Sequence, residues 1–140
     1  MFPDIHGDVF YRLVSDNGTL NEVAYEVDKL TRNIWDASFK PAWAAIITWY
    51  QMKAFNHRRF EYNNTFQVIL TTDGSESYVI FNYGRLSWPN EEVEVKVEAG
   101  LNLGDGQTFK ETFTHINDLE YKSNVGLRSK WVFRVDKLIS

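Results

Sequence analysis

The dipeptide Asp73-Gly74, with a strand-like run on either side, is the feature that most constrains the fold of this 140-residue chain. Residues 66–72 precede it and residues 77–83 follow it, and both runs are rich in β-branched and aromatic side chains. Asp-Gly between two such runs indicates a tight hairpin turn, because both residues tolerate positive φ angles. We therefore predict an antiparallel hairpin in the centre of a sheet.

An amphipathic helix is predicted over residues 20–34, where apolar side chains recur at helical spacing. The stripe consists of Leu20, Val23, Ala24, Val27, Leu30 and Ile34. The preceding Asp16-Asn17-Gly18 is typical of a turn. Thr19 and Glu22 match a capping box, in which a hydroxyl and a carboxylate bind free amides of the first helical turn. The polar opposite side indicates a helix that packs on a sheet and faces water elsewhere.

Further strands are predicted along most of the remaining chain, at residues 9–14, 42–50, 91–98 running on to 102, 108–113 and 131–135. Residues 42–50 are apolar on both sides, which is typical of a central strand covered on both faces. Residues 117–121 are predicted to form a helical turn. No repeat or linker divides the sequence, so residues 1–140 are predicted to form one domain of the α+β class, mainly β. Its expected architecture is an antiparallel sheet or sandwich with one packed amphipathic helix.

Composition excludes several classes of function. The absence of cysteine excludes a disulfide scaffold, a thiol nucleophile and thiolate metal sites. The formal charge is −4 and the sequence has no basic stripe, so no nucleic-acid partner is expected. The densest basic cluster, His57-Arg58-Arg59 with Lys53 nearby, is interpreted as a solvated loop. The most apolar stretch, residues 42–47, is too short to span a bilayer, so no membrane insertion by this segment is expected.

No catalytic, cofactor-binding or metal-binding residue is predicted, and the chain is predicted not to be an enzyme. The three histidines, His6, His57 and His115, are not spaced as metal ligands, and the glycines do not form a nucleotide-binding motif. The stretches 73–76 and 105–107 carry oxygen ligands suited to calcium, but turn formation explains them and neither has EF-hand spacing. A hydrolase assembled from scattered carboxylates is kept as an alternative, and it requires a deep cleft with two acidic groups.

The five tryptophans raise a second alternative, a carbohydrate-binding module. Trp43, Trp49 and Trp131 lie within apolar strands and are expected in the core, whereas Trp35 and Trp88 are the candidates for stacking on sugars. Two Asn-x-Thr sequons, beginning at Asn17 and Asn63, are predicted to lie in loops and are the candidates for glycosylation.

Several ordered blocks resemble the nidogen-like (NIDO) domain. The central block is NTFQVILTTDGS at residues 64–75, followed by SYVIFNYG at 77–84. Matching blocks also occur at residues 7–12, 43–49, 99–102, 104–106, 123–126 and 131–136. The resemblance is stronger to alpha-tectorin-like members than to nidogen itself. The chain departs from these members at residues 88–98, which are shorter and more charged, and at residues 128–130, where a glycine is common.

The resemblance implies a non-catalytic, secreted or ectodomain module of extracellular matrix and cell-adhesion glycoproteins. No catalytic or cofactor residue is carried over from the family. It implies a structural protein whose partners are extracellular proteins, and a segment excised from a larger mosaic protein. In the family, further strand-like sequence precedes the part that begins near Phe2. We therefore predict an unpaired edge or apolar patch and self-association, unless residues 9–14 already close the sheet.

Overall fold

The computed structural model describes residues 7–30, 39–53, 63–87, 97–102, 104, 106, 108–113 and 117–136. The elements in chain order are β1 (Asp8–Val14), α1 (Asn17–Leu30), β2 (Trp43–Lys53), β3 (Asn63–Thr72), β4 (Ser77–Leu86), β5 (Val97–Asn102), β6 (Thr108–Phe113), α2 (Asn117–Tyr121) and β7 (Lys130–Arg134). Five strands form an antiparallel sheet in the order β1-β2-β3-β4-β7, and β5 pairs with β6 in a separate two-stranded sheet. The predicted class, α+β and mainly β, is confirmed.

The predicted hairpin is confirmed, and both of its strands are interior strands of the five-stranded sheet. Asp73 starts the turn, and its Oδ1 atom accepts hydrogen bonds from the backbone N–H groups of Ser75 and Glu76, at 2.8 and 2.7 Å. Gly74 has a φ of +98°, a conformation that a side chain would strain. The Asp-Gly pair therefore supplies both the turn's acceptor and its positive φ angle.

The helix is confirmed, but its predicted start is wrong by one turn. α1 begins at Asn17, and Asp16 caps it by accepting a 2.9 Å hydrogen bond from the N–H group of Thr19. Asn17 and Gly18 are therefore helical and do not form a turn, and Thr19 lies inside the helix instead of at its cap. Aspartate is among the strongest N-cap residues, and it satisfies a free amide one turn earlier than the Thr19–Glu22 pattern would.

The predicted apolar stripe of α1 packs on one face of the sheet. The buried core on this side contains Val14, Leu20, Val23, Val27, Phe39, Ala44, Ile46, Ile69, Tyr78, Ile80, Val125 and Val132. Val27 is completely buried, and Phe39 meets Tyr78 edge-on with 5.0 Å between ring centroids. The side chain of Leu30 and all of Ile34 lie outside the described residues.

The prediction that β2 is covered on both faces is wrong. Ala44 and Ile46 are buried beneath α1, but Trp43, on the opposite face, remains 45% exposed. Trp49 and Trp131, also expected in the core, are half-buried. Among the described residues, Leu119 of α2 and Ala99 of β5 pack with Tyr83 and Trp131 and cover the second face at its β4–β7 end. An apolar pattern shows that a face avoids water, but it does not show whether this chain or another covers it.

Candidate interaction surface

The face of the five-stranded sheet opposite α1 is almost entirely apolar, and we call it the apolar face. Strand alternation and register place fifteen side chains on it: Val9, Tyr11, Leu13, Trp43, Ala45, Ile47, Trp49, Phe66, Val68, Leu70, Val79, Phe81, Tyr83, Trp131 and Phe133. Aromatic pairs link neighbouring strands. Trp49 stacks on Phe66 at 5.1 Å between centroids, and Phe81 meets Phe133 edge-on at 6.0 Å. Such pairs stabilise cross-strand register.

Exposure of the apolar face is greatest at its β1 end. Val79 on β4 is 4% exposed, and burial raises the pKa of Tyr83 on the same strand to about 12. Tyr11 and Leu13 on β1 are 81% and 79% exposed. A contiguous exposed apolar patch is unusual on a soluble domain and marks a binding surface. The β1–β2 end of the apolar face is therefore the candidate site for another molecule.

β1 also leaves a backbone edge open. It pairs with β2 along its full length, from Asp8 opposite Tyr50 to Val14 opposite Ala44, and it has no second partner strand among the described residues. Its exposed side chains include Phe10, whose ring lies 6.4 Å from that of Tyr50. Unpaired N–H and C=O groups on an edge strand can accept a strand from another chain. The edge and the apolar face meet at β1.

The opposite edge of the sheet is protected by side chains. The carboxamide of Asn124 donates to the carbonyl oxygen of Val132 at 2.7 Å and accepts from its N–H group at 2.9 Å. One residue earlier, the Ser123 hydroxyl donates to the carbonyl oxygen of Lys130 at 2.6 Å. These contacts occupy backbone groups of β7 that a further strand would use. The two edges of one sheet therefore differ, and β1 is the one open to pairing.

A polar row crosses the α1 side of the sheet and joins four strands. Thr48, Gln67, Asn82 and Lys130 are successive register partners on β2, β3, β4 and β7. Gln67 donates to Thr48 at 2.9 Å, Asn82 donates to Gln67 at 3.1 Å, and Lys130 donates to Asn82 at 2.8 Å. The row ends on α1 through the ion pair of Lys130 with Glu26, 2.6 Å between Nζ and Oε1. The row therefore links α1 to four strands of the sheet.

A charged cluster ties the hairpin turn to the end of β7. Arg134 contacts the carboxylates of Glu76, at 3.2 Å, and Asp136, at 2.9 Å. Desolvation alone would raise the pKa of Asp136, but hydrogen bonds from Arg134 and from the N–H group of Ser77 leave it lowered. Burial, followed by a 3.0 Å hydrogen bond to Glu76, raises the pKa of Tyr78 to about 12. Every member already has a partner within the cluster, which makes it structural.

The residues predicted from the sequence are only partly within the described chain. Trp35 and Trp88, the candidates for sugar stacking, lie outside it, as do His6, His57, His115 and Asp105. Asn17 is exposed as the first residue of α1, and Asn63 is half-buried as the first residue of β3, so both sequons begin a regular element instead of lying in a loop. The described ranges contain no group of three histidine or acidic side chains placed to hold a metal ion. Their helices are too short or too polar to cross a membrane.

Residues 2–137 match the family profile of the nidogen-like domain. The chain belongs to the nidogen-like domain family. Among the curated relatives, alpha-tectorin from Gallus gallus is 29% identical over 94% of the chain, and mucin-4 from Mus musculus is 27% identical over 97%. Dendrite extension defective protein 1 from Caenorhabditis elegans is 29% identical over 94%. No solved structure matches the chain.

The nidogen-like domain is a small part of each of these relatives. The chain spans 7% of the length of the chicken tectorin, 4% of mouse mucin-4 and 11% of the nematode protein. These relatives are extracellular proteins or ectodomains of membrane-anchored proteins. The predicted family and the predicted extracellular location are therefore confirmed.

The exposed β1 residues were not recognised as a site from the sequence. The run of residues 9–14 contains one charged residue, Arg12, and predicts a strand without indicating which of its sides is exposed. A strand at the edge of a sheet has the same pattern as one in the middle. The strand order shows that β1 lies at the edge, and the solvent exposure of Val9, Tyr11 and Leu13 shows that their side of the strand is uncovered.

Proposed function

We propose that this nidogen-like domain is a non-catalytic structural or adhesion module that binds other extracellular proteins through the β1–β2 end of its apolar face. The observation that supports it most is the exposure of Tyr11 and Leu13, at 81% and 79%, beside the half-buried Ile47 and Trp49. Interface cores are enriched in aromatic side chains and depleted of charge, and this surface has both properties.

Catalysis has no comparable support in the described residues. Glu76 and Asp136 are held by Arg134 at the surface of the hairpin turn. A second pair, Glu22 and Glu26, lies one turn apart on α1 beside an open depression at the surface, which is not a deep cleft. The hydrolase alternative required two acidic groups in such a cleft. The absence of catalysis is therefore part of the proposal.

The proposal is tested by surface plasmon resonance with the immobilised domain and a panel of purified matrix and cell-surface proteins. A double variant, Tyr11→Ser with Leu13→Ser, removes the two most exposed apolar side chains of β1. The matched control is Tyr25→Ser, because Tyr25 is also exposed but lies on the outer side of α1. We expect the double variant to weaken at least one interaction about tenfold or more, and the control to leave it unchanged.

The same panel separates the proposal from the carbohydrate-binding alternative. Trp35 and Trp88 remain the predicted stacking residues, and a sugar bound to them would change tryptophan fluorescence. Binding of glycans with unchanged affinity in the double variant, together with no protein partner, would contradict the proposal and favour the alternative.

A further inference from the structure

The unprotected edge of the five-stranded sheet is self-complementary in charge. β1 carries an acidic residue, Asp8, four positions before a basic residue, Arg12, with Phe10 midway between them. All three lie on one side of the strand, because alternate residues of a strand point to the same face. All three are exposed. Arg12 interacts electrostatically with Asp16 without forming a salt bridge, and Asp8 forms no salt bridge with another described residue. Asp8 and Arg12 are therefore available to a molecule that binds this edge.

We infer that two copies of the chain pair antiparallel through β1, in the register centred on Phe10. In that register Asp8 lies opposite Arg12 of the second copy, and the two-fold axis repeats the pair on the other side of Phe10. Opposite charges at directly facing positions stabilise an antiparallel pair, and like charges there destabilise it. The two five-stranded sheets then become one continuous ten-stranded sheet.

The charges of Asp8 and Arg12 favour the register centred on Phe10 over the register shifted by one residue. A two-fold axis at Tyr11, one residue along, would place Arg12 opposite Phe10 and Asp8 opposite Val14. That arrangement leaves neither charge directly opposite a partner, and Val14 is already buried beneath α1. The register centred on Phe10 instead places Val9 opposite Tyr11 on the apolar face, so that exposed apolar side chains cover one another.

A second copy fits this edge better than the opposite one. Each chain carries a formal charge of −4, so two copies repel each other at long range and need a local attraction to associate. The paired Asp8 and Arg12 supply it at β1. At β7, Asn124 already occupies the backbone of Val132. A pair of seven-residue strands buries less accessible surface than the roughly 1,200 Å² of a standard interface. We therefore expect a reversible dimer with a dissociation constant on the order of 100 µM.

This inference rests on the proposed function only because both use strand β1. It names a second copy of the chain as one partner of that strand. Self-association is measured on the purified chain alone, whereas the proposed function is measured on binding to other proteins. A monomeric chain that still binds a partner through Tyr11 and Leu13 would overturn the inference and leave the proposed function intact.

Charge reversal tests the inference by sedimentation velocity of the full chain over a concentration series. The Asp8→Arg variant and the Arg12→Asp variant each oppose like charges across the two-fold axis, and we expect each to weaken dimerisation about tenfold or more. The double variant, Asp8→Arg with Arg12→Asp, restores opposite charges and is expected to dimerise like the wild type. Both residues are exposed, so the variants keep the native melting temperature, which is the control for folding.

An equimolar mixture of the two single variants gives the sharpest result. Each mixed pair opposes an introduced arginine to an introduced aspartate and a native Asp8 to a native Arg12. The mixture is therefore expected to dimerise about as tightly as the wild type, and about tenfold or more tightly than either variant alone. A wild type that remains monomeric over the whole series would overturn the inference. The inference would also be overturned if the single variants dimerised as tightly as the wild type, or if the mixture dimerised no more tightly than either variant alone.

Cysteine cross-linking tests the register itself, because the native chain has no cysteine. Phe10→Cys places the two introduced thiols directly opposite each other, within the roughly 4.4–6.8 Å between Cα atoms that a disulfide spans. Tyr11→Cys, the matched control, offsets the thiols by two residues along the strand, beyond about 7 Å. We expect oxidation to join the first variant into a covalent dimer and not the second. The reverse preference, or no cross-link in either, would overturn the proposed register.

Discussion

The side chain of Asn124 makes with Val132 the two hydrogen bonds that a neighbouring strand would make. Its amide nitrogen donates to the Val132 carbonyl oxygen at 2.7 Å, and its amide oxygen accepts from the Val132 N–H group at 2.9 Å. Val132 is buried, so these backbone groups would otherwise lack partners in a dry environment. The sheet therefore ends at β7 because a side chain closes it.

Replacing this residue, in the variant Asn124→Ala, is expected to lower the free energy of unfolding by about 1–3 kcal/mol, because it leaves buried backbone groups unsatisfied. Urea denaturation measures the change. The control is Asn21→Ala at an exposed position on α1, which should stay within about 0.5 kcal/mol of the wild type. Equal stability of both variants would show that the carboxamide does not protect the edge.

Packing of α1 is tested by Val27→Asp, which places a charge at a completely buried position. We expect a loss of several kcal/mol, on the order of 3–5, because a buried carboxylate has neither water nor a cation to stabilise it. The matched control is Val9→Asp, the same chemical change at an exposed position on β1. Similar melting temperatures for the two variants would contradict the burial of the stripe.

The cluster at the hairpin turn predicts how stability falls in acid. The pKa of Asp136 is lowered in the folded chain relative to its ordinary value of 3.8, because Arg134 and Ser77 bind the charged form. A lowered folded-state pKa means that the unfolded chain takes up the proton first. The stabilisation is therefore present above about pH 4 and is lost as the pH falls through the folded-state value.

Asp136→Asn is accordingly expected to flatten the fall of stability below about pH 4, measured by urea denaturation at each pH. Asp8→Asn, at an exposed position on β1, serves as the control variant. If the slope of stability against pH were the same for Asp136→Asn as for the wild type, the cluster would not contribute to acid stability.

Glycosylation is predicted more strongly at Asn17 than at Asn63. Asn17 is exposed at the N-terminus of α1, whereas Asn63 is half-buried and its backbone N–H group and carbonyl oxygen bind Ser87. Secretion of the chain by eukaryotic cells should add one glycan mass that the variant Asn17→Gln abolishes, as seen by mass spectrometry before and after glycosidase treatment. A mass shift that survives this variant and disappears with Asn63→Gln would reverse the assignment.

Local patterns were sufficient to predict the elements that depend on few residues. Asp73-Gly74 predicts its own turn, and the spacing of Val23 and Val27 predicts the buried side of α1, because both depend on neighbours within a few positions. The helix start was harder to predict. Asp16 and Thr19 are both good capping residues, and sequence alone does not decide between two starts one turn apart.

The candidate surface could not be predicted because it depends on which strands are neighbours. The run that contains Val9, Tyr11 and Leu13 predicts a strand, but its place at the end of the sheet and the exposure of these side chains depend on elements distant in the sequence. Trp43 is predicted in the core because it belongs to an apolar strand, but its face of β2 is not fully covered. The pairing of Asn124 with Val132 joins a loop to a strand, and no sequence rule specifies such a contact.

The central claim is that other proteins bind at β1 and the adjoining apolar face. Hydrogen–deuterium exchange of the domain, with and without a partner identified by the binding panel, tests it most directly. Without partner, the unpaired amides of β1 should exchange far faster than that of Val132, which is buried and bound to Asn124. With partner, we predict that the amides of Asp8–Val14 slow markedly while the rest of the sheet changes little. Unchanged exchange in β1, with new protection confined to the surroundings of Trp35 or Trp88, would contradict the claim.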